Sequence, residues 1–159
     1  VVLYVVTGPP TAGKSAWITG RARPRDIVID LDRIALALAG PGADDHDHDP
    51  HLLRVAHKAR FAAIKEATRI STGEGQSNPP EQRPDVYLIH TQPSVKQRAR
   101  YHRQGARIIV VDPGRDITMA RVRQLRQPSM ERVAARWYEQ HTHTPRGATV
   151  VNSRGSRNW

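Results

Sequence analysis

Apolar positions along the chain fall into short continuous runs separated by longer stretches of helical periodicity. VVLYVV (1–6) is an unbroken run, β-branched except at Leu3 and Tyr4. It predicts a strand buried on both faces, as in a parallel sheet. DIVIDL (26–31), DVYLIH (85–90) and ARIIVV (106–111) predict three more, and ATVV (148–151) is the candidate for a fifth. Between these runs lie the helical segments. Lys14 to Arg23 is closed by Gly20 and Pro24, and Arg33 to Ala39 stops at Gly40-Pro41-Gly42. His51 to Arg69 places Leu52, Leu53, Val55, Ala56, Ala59, Ala63, Ile64 and Ala67 mostly on one face. Ser94 to Gln104 ends at Gly105. Asp116 to Arg126 and Ser129 to Gln140 are separated by Pro128, and Ser129 stands as N-cap without the acidic partner of a capping box, because Arg132 follows three residues on. Three stretches read as irregular: ADDHDHDPH (43–51) as a polar mobile loop, STGEGQSNPPEQRP (71–84) as a linker-like loop, and residues 153–159 as a flexible tail. No internal repeat is visible.

Strand alternating with helix predicts an α/β domain with a parallel sheet of four to five strands flanked by helices. Its crossovers should be right-handed, with ligands beyond the carboxyl ends of the strands. A length of 159 residues fits one domain, taken as residues 1–152. There is no cysteine, which excludes disulfides and thiolate metal sites. No apolar run approaches the about 18 residues of a membrane span. The opening run lacks the cleavage region of a signal peptide, so a cytoplasmic protein without a membrane partner is expected. The first residue is not Met, which leaves room for a missing or trimmed start.

Charge sharpens this picture. The net charge is +10, yet residues 1–94 hold 11 basic and 11 acidic side chains, while residues 95–159 hold 14 basic and 4 acidic. The surplus is almost all Arg, the side chain suited to bidentate phosphate contacts. It points to a polyanionic partner, or else to a genome that writes Arg for Lys.

The most informative local pattern is Gly8-Pro9-Pro10-Thr11-Ala12-Gly13-Lys14-Ser15, which fits G-x-x-x-x-G-K-[ST] without mismatch. It follows a predicted strand and opens a predicted helix, the context in which the pattern makes a phosphate-binding loop. Backbone N–H groups of such a loop point inward at a polyphosphate. Lys14 would reach the β- and γ-phosphates, and Ser15 would ligate Mg²⁺. The loop implies a nucleoside triphosphate, with ATP and Mg²⁺ as the expected ligands. A switch GTPase would need N-K-x-D, which is absent. A motor-type ATPase would usually need a larger chain and an acid closing the third strand, where His90-Thr91-Gln92 stands instead. A small chain, a second strand ending in carboxylates and an Arg-rich C-terminal segment together favour a small kinase.

In GPPTAGKSAW (8–17), VIDLDRIA (28–35) and the Arg-bearing helices 115–138, the chain resembles the polynucleotide-kinase-like group of P-loop kinases. The resemblance covers about residues 3–140 and extends in style to phage-type nucleic-acid kinases, including those acting on 5-hydroxymethyluracil in DNA. It implies a P-loop NTPase fold, nucleoside-monophosphate-kinase-like, with nucleic acid as acceptor, DNA ahead of RNA, and the host cytoplasm as location if phage-encoded. By the same resemblance, Asp32 is the catalytic carboxylate that meets the acceptor hydroxyl, with Asp30 one strand period before it and facing the same side. Read from the residues alone, Asp30 is equally a strand-end or cap carboxylate, and Asp32 a helix N-cap. Arg33 lies near, but out of register with, an Arg that the family places against the acceptor phosphate. Residues 115–128 resemble the family's lid, from which Arg121 and Arg126, with Arg123 as an alternative, would touch the nucleotide and the transferring phosphoryl group. Arg115, Met119, Val122 and Arg126 share a helix face that excludes Arg121, so the arginines of the segment cannot all reach one ligand. For Mg²⁺, Ser15 is joined by Asp30, Asp32 or Asp112.

The alternating His and Asp of residues 44–51 invite a metal, but alternate residues in a loop favour a solvated stretch, with a part in acceptor binding as the third reading because loops after the second strand often cover the acceptor. Trp17 and the pair Trp137-Tyr138 read as core. Lys96, Arg98, Arg100, Arg103 and Arg107 form either a backbone-tracking face for nucleic acid or a solvated helix face. Three functions remain open: a nucleic-acid kinase acting on a 5′-hydroxyl or a base hydroxymethyl, a kinase for a nucleoside, nucleotide or other small acceptor, and an NTP-binding module with little catalysis.

Overall fold

The computed structural model describes residues 1–75, 77–126, 128–141 and 144–152. The expected tail at 153–159 lies outside the described residues. Five strands form one sheet: β1 (Leu3–Thr7), β2 (Ile27–Ile29), β3 (Val86–Ile89), β4 (Arg107–Val111) and β5 (Thr149–Val151). Their order is β2-β3-β1-β4-β5, and every pair is parallel. The α/β expectation holds, with the fifth strand present.

Period-two alternation assigns each strand residue to one of two cores. Leu3, Val5, Ile29, Val86, Leu88 and Ile108 face one side, where Ala67 of α3 (Pro50–Thr72) and Tyr101 of α4 (Val95–Arg103) cover them. Val6, Tyr87, Ile109 and Val111 face the other, against Ile18 of α1 (Lys14–Thr19). Tyr4 stacks on Tyr87, centroids 4.9 Å apart, and Trp17 meets both rings edge-on. Trp17 and the buried Trp137 are therefore packing residues, as expected. Three helices complete the chain: α2 (Leu31–Leu38), α5 (Arg115–Leu125) and α6 (Ser129–Gln140). Among the described residues, no helix is long and apolar enough to cross a membrane.

Several boundaries differ from the sequence expectation, each for a local reason. Helix α1 stops at Thr19, with Gly20 as C-cap, and does not reach Arg23. Helix α3 runs from Pro50 to Thr72: Asp49 caps it, Pro50 pre-sets its first turn, and Gly73 at φ 80° ends it within the supposed linker. A short 3₁₀ turn, Pro80–Gln82, occupies the rest of that linker. Ser94 caps α4 through a capping box with Gln97. Ser129 does not cap α6, whose N-cap is Pro128. The second strand is the most consequential difference. It ends at Ile29, and Asp30 is the N-cap of α2, its side chain accepting from the Asp32 backbone N–H at 3.1 Å. Asp30 and Asp32 are therefore not strand neighbours one period apart. The cap reading of Asp30 holds, while Asp32 sits in the first helical turn rather than at the cap.

Candidate active site

The chain leaves the centre of the sheet at β1 and turns through residues 8–13 into α1. Neighbouring connections depart to opposite sides: β3 and β2 flank β1 on one side, β4 and β5 on the other. This is the switch point at which parallel sheets open a crevice beyond their carboxyl ends. A cleft of about 1400 Å³ lies there. That exceeds the roughly 300–1,000 Å³ of a site for one small ligand, so it has room for two.

The loop floor is tightly constrained. Gly8 has φ 147°, and a Cβ there would collide with the Val111 carbonyl of β4. Gly13 has φ 90°, and Thr11, at φ 59°, is a non-glycine residue in the left-handed region, a conformation that needs support from its surroundings. That support comes from α5. Arg121 Nη1 donates to the Thr11 carbonyl at 3.1 Å, and Thr11 Oγ1 to the Thr118 carbonyl at 3.5 Å. Lys14 folds over the loop, its Nζ donating to the carbonyls of Gly8 at 3.0 Å and Pro9 at 2.7 Å. Burial pushes the Lys14 ammonium down to about 8, against the opposing pull of Asp30 and Asp32. A cation held at this cost at the edge of the cleft is suited to an anionic ligand.

Asp30, Asp32, Arg60, His90 and Arg126 line the same cleft as Lys14 and Ser15. Burial raises the Asp30 carboxyl above its ordinary range, and the backbone bond from Asp32 opposes this. Arg126, the C-cap residue of α5, stands close enough to Lys14 to lower its pKa, and its own guanidinium is lowered by burial against the opposing fields of Asp32, Asp44 and Asp45. The sequence expectation put Arg121 and Arg126 together on a phosphate. The structure separates them: Arg126 lines the cleft, whereas Arg121 is buried beneath the loop as its brace. Arg123 points to Glu131, Nε to Oε2 at 3.2 Å. Asp112 accepts from Tyr138 Oη at 2.6 Å and from the Gly114 N–H at 2.8 Å, anchoring α5 and α6 rather than lining the cleft.

Arg60 escaped the sequence reading, and the surroundings of His90 and of the 43–49 loop were not legible in it. Arg60 projects from α3, Nη2 donating to the Ile89 carbonyl at 2.8 Å, with a buried Nε that has no hydrogen-bond partner. Its signal was there: it falls on the apolar stripe between Ala56 and Ala63, where an Arg needs a reason. His90 takes the place of the absent acid at the end of β3. Burial and then Arg60 lower it to about 4, so it is neutral, with Nδ1 2.9 Å from Tyr101 Oη. In the 43–49 loop, expected to be solvated, His46 Nδ1 lies 3.0 Å from Asp32 Oδ2, and His48 Nε2 3.3 Å from Asp32 Oδ1.

Among the described residues, no group of three or more His, Asp or Glu side chains is arranged to hold a metal. Ser15 and Asp30 both border the cleft and offer hard oxygen donors. That pair suits Mg²⁺, which takes few protein ligands and completes its octahedron with phosphate oxygens and water.

No protein-family model matches the sequence, and no curated protein matches it. Solved structures do. A shikimate kinase from Bacteroides thetaiotaomicron superposes with a TM-score of 0.59 at 15% identity, covering 98% of this chain and 89% of that one. A Chloroflexus aurantiacus protein provisionally named a kinase gives a TM-score of 0.55 at 19% identity, covering 97% and 86%. At such identities the likeness is one of fold, the five-stranded parallel α/β fold that these chains share.

Proposed function

We propose that the chain is an ATP- and Mg²⁺-dependent phosphotransferase that phosphorylates a hydroxyl on nucleic acid, a 5′-hydroxyl or a base hydroxymethyl, with residues 1–152 as one kinase domain and 115–128 as its lid. The observation that carries this reading is the meeting of the Lys14 loop, Asp32 and Arg126 around one cleft. The backbone N–H groups of Thr11, Gly13, Lys14 and Ser15, together with the Lys14 ammonium, hold the β- and γ-phosphates. Ser15 and Asp30 would hold Mg²⁺, which would supply neutralisation of phosphate charge. Asp32 takes the proton of the acceptor hydroxyl as its oxygen bonds to the γ-phosphorus and the bond to the ADP oxygen breaks. Arg126, on the facing wall, stabilises the charge spread over the transferring group. Arg60, which lines the cleft, pairs with an anionic group near that hydroxyl. A phosphodiester beside a terminal sugar meets that description. The exposed Lys96, Arg100 and Arg103 of α4 offer phosphate contacts along a longer strand.

A second reading has its own observation. Asp44, Asp45 and Asp47 also line the cleft and repel a polyanion, which favours a small acceptor such as a nucleotide. Transfer of label from γ-labelled ATP separates the cases. Labelled 5′-hydroxyl or hydroxymethyl oligonucleotides support the first, and labelled nucleosides or nucleotides alone support the second. Nucleotide binding with no transfer to any acceptor refutes both and leaves a binding module.

A further inference from the structure

Asp32 is held from outside its own helix. The segment Asp44–Asp49 is folded by its own side chains: Asp44 Oδ1 accepts from the N–H groups of His46 at 2.7 Å and Asp47 at 2.8 Å. Asp49 Oδ1 accepts from the His51 N–H at 2.7 Å and anchors the segment to α3. The loop thereby delivers His46 and His48, two residues apart, to the same carboxylate. They approach different oxygens: His46 Nδ1 is 3.0 Å from Oδ2, and His48 Nε2 is 3.3 Å from Oδ1. Their surroundings differ. The His46 side chain is 46% exposed and borders the cleft, whereas that of His48 is 1% exposed, neither of its ring nitrogens makes a hydrogen bond, and Asp32 Oδ1 lies within ion-pair distance of Nε2. An imidazole buried at that cost, with one carboxylate oxygen as its polar neighbour, is placed for that oxygen.

We propose that His48 and His46 are positioning residues that fix the plane of the Asp32 carboxylate toward the acceptor hydroxyl, His48 from the interior and His46 from the cleft side. The proposal rests on the kinase reading of Asp32. With Asp32 on the first turn of α2 and its side chain 43% exposed, the carboxylate would otherwise rotate freely. The His46 ring hydrogen-bonds Oδ2, and His48 Nε2 faces Oδ1 at ion-pair distance, which leaves the other lone pairs of the carboxylate for the incoming hydroxyl. A misplaced base costs up to about 100-fold in rate, and this is the scale of the expected effect.

The test uses the full chain and two readouts. ¹⁵N spectra of the histidine rings, assigned with His46→Asn and His48→Gln, should show the proton on Nδ1 of His46 and on Nε2 of His48, and Asp32→Asn should shift both rings. In transfer assays, His48→Met fills the space without a donor and should lower kcat about 10- to 100-fold with KM for ATP unchanged. His48→Gln returns an N–H near the Nε2 position and should recover most of the rate, and His46→Asn should outperform His46→Ala. Rings indifferent to Asp32→Asn overturn the proposal. So do a wild-type kcat in His48→Met or a His48→Gln as slow as His48→Met, which would make His48 a packing residue while transfer stands. If the wild-type protein transfers phosphate to no acceptor, the kinase reading falls and the positioning role with it, even where the spectra still show both rings coupled to Asp32.

Discussion

Replacing Lys14 with Met should make the protein more stable and unable to hold a nucleotide. Burial lowers the Lys14 pKa from 10.5 to about 8. Each unit is worth about 1.36 kcal/mol, so keeping the proton in the folded state costs about 3 kcal/mol at pH 7. Lys14 borders an open cleft, and water there trims the figure toward about 2 kcal/mol. The sign follows from linkage. Between pH 8 and 10.5 the unfolded chain binds more protons than the folded one, so wild-type stability rises with pH in that window, whereas a Met at this position contributes no such slope. Urea unfolding of both proteins at pH 7, 8, 9 and 9.5 measures the difference. Lys14→Met should be more stable by about 2 kcal/mol at pH 7, with the gap narrowing by about 1 kcal/mol toward pH 9.5. A variant less stable than wild type at pH 7, or a gap constant with pH, would refute the reasoning that this ammonium is held against its solvation.

Arg126→Ala should lower kcat by about 10³-fold with a small change in ATP affinity, measured by steady-state kinetics and calorimetry, because it acts on the transferring charge. Gly8→Ala should cost at least about 3 kcal/mol or abolish nucleotide binding, since its Cβ meets the Val111 carbonyl of β4, and unfolding curves with a binding titration report which. Arg121→Met removes the donor to Thr11 and should lower stability by about 1–3 kcal/mol together with ATP affinity, a joint loss that a phosphate-contacting Arg would not give. Arg60→Gln should raise KM for an anionic acceptor at least about tenfold and leave KM for ATP unchanged.

What the sequence disclosed was what is written contiguously. The apolar β-branched runs marked all five strands: in β1, β3 and β4 burial on both faces leaves almost no polar position to confuse the period, and the more exposed β5 was marked by its β-branched residues alone. The loop at residues 8–15 was legible for the same reason: its chemistry is carried by eight adjacent residues. The second strand misled, because VIDLD alternates as a strand would, while Asp30 caps a helix and ends the strand at Ile29. Alternation and capping compete at such a carboxylate, and the unsatisfied N–H groups of the first helical turn decided the outcome. The lid role of Arg121 came from the resemblance of residues 115–128 to the family's lid. The burial of Arg121 depends on Thr11, 110 positions away in the chain, which no local pattern encodes. The contacts of His46 and His48 with Asp32 were equally hidden, since a loop of alternating His and Asp reads as solvated until its aspartates are seen to fold it.

The central claim is that the loop at Lys14 and the carboxylate at Asp32 serve the two substrates of a single transfer. Calorimetric ATP binding and single-turnover transfer of labelled γ-phosphate, measured together on wild type and Asp32→Asn, address it most directly. The account predicts an ATP affinity within about twofold of wild type and transfer slowed by at least about 100-fold in the variant. Transfer at the wild-type rate in Asp32→Asn, or loss of ATP binding along with transfer, would contradict it.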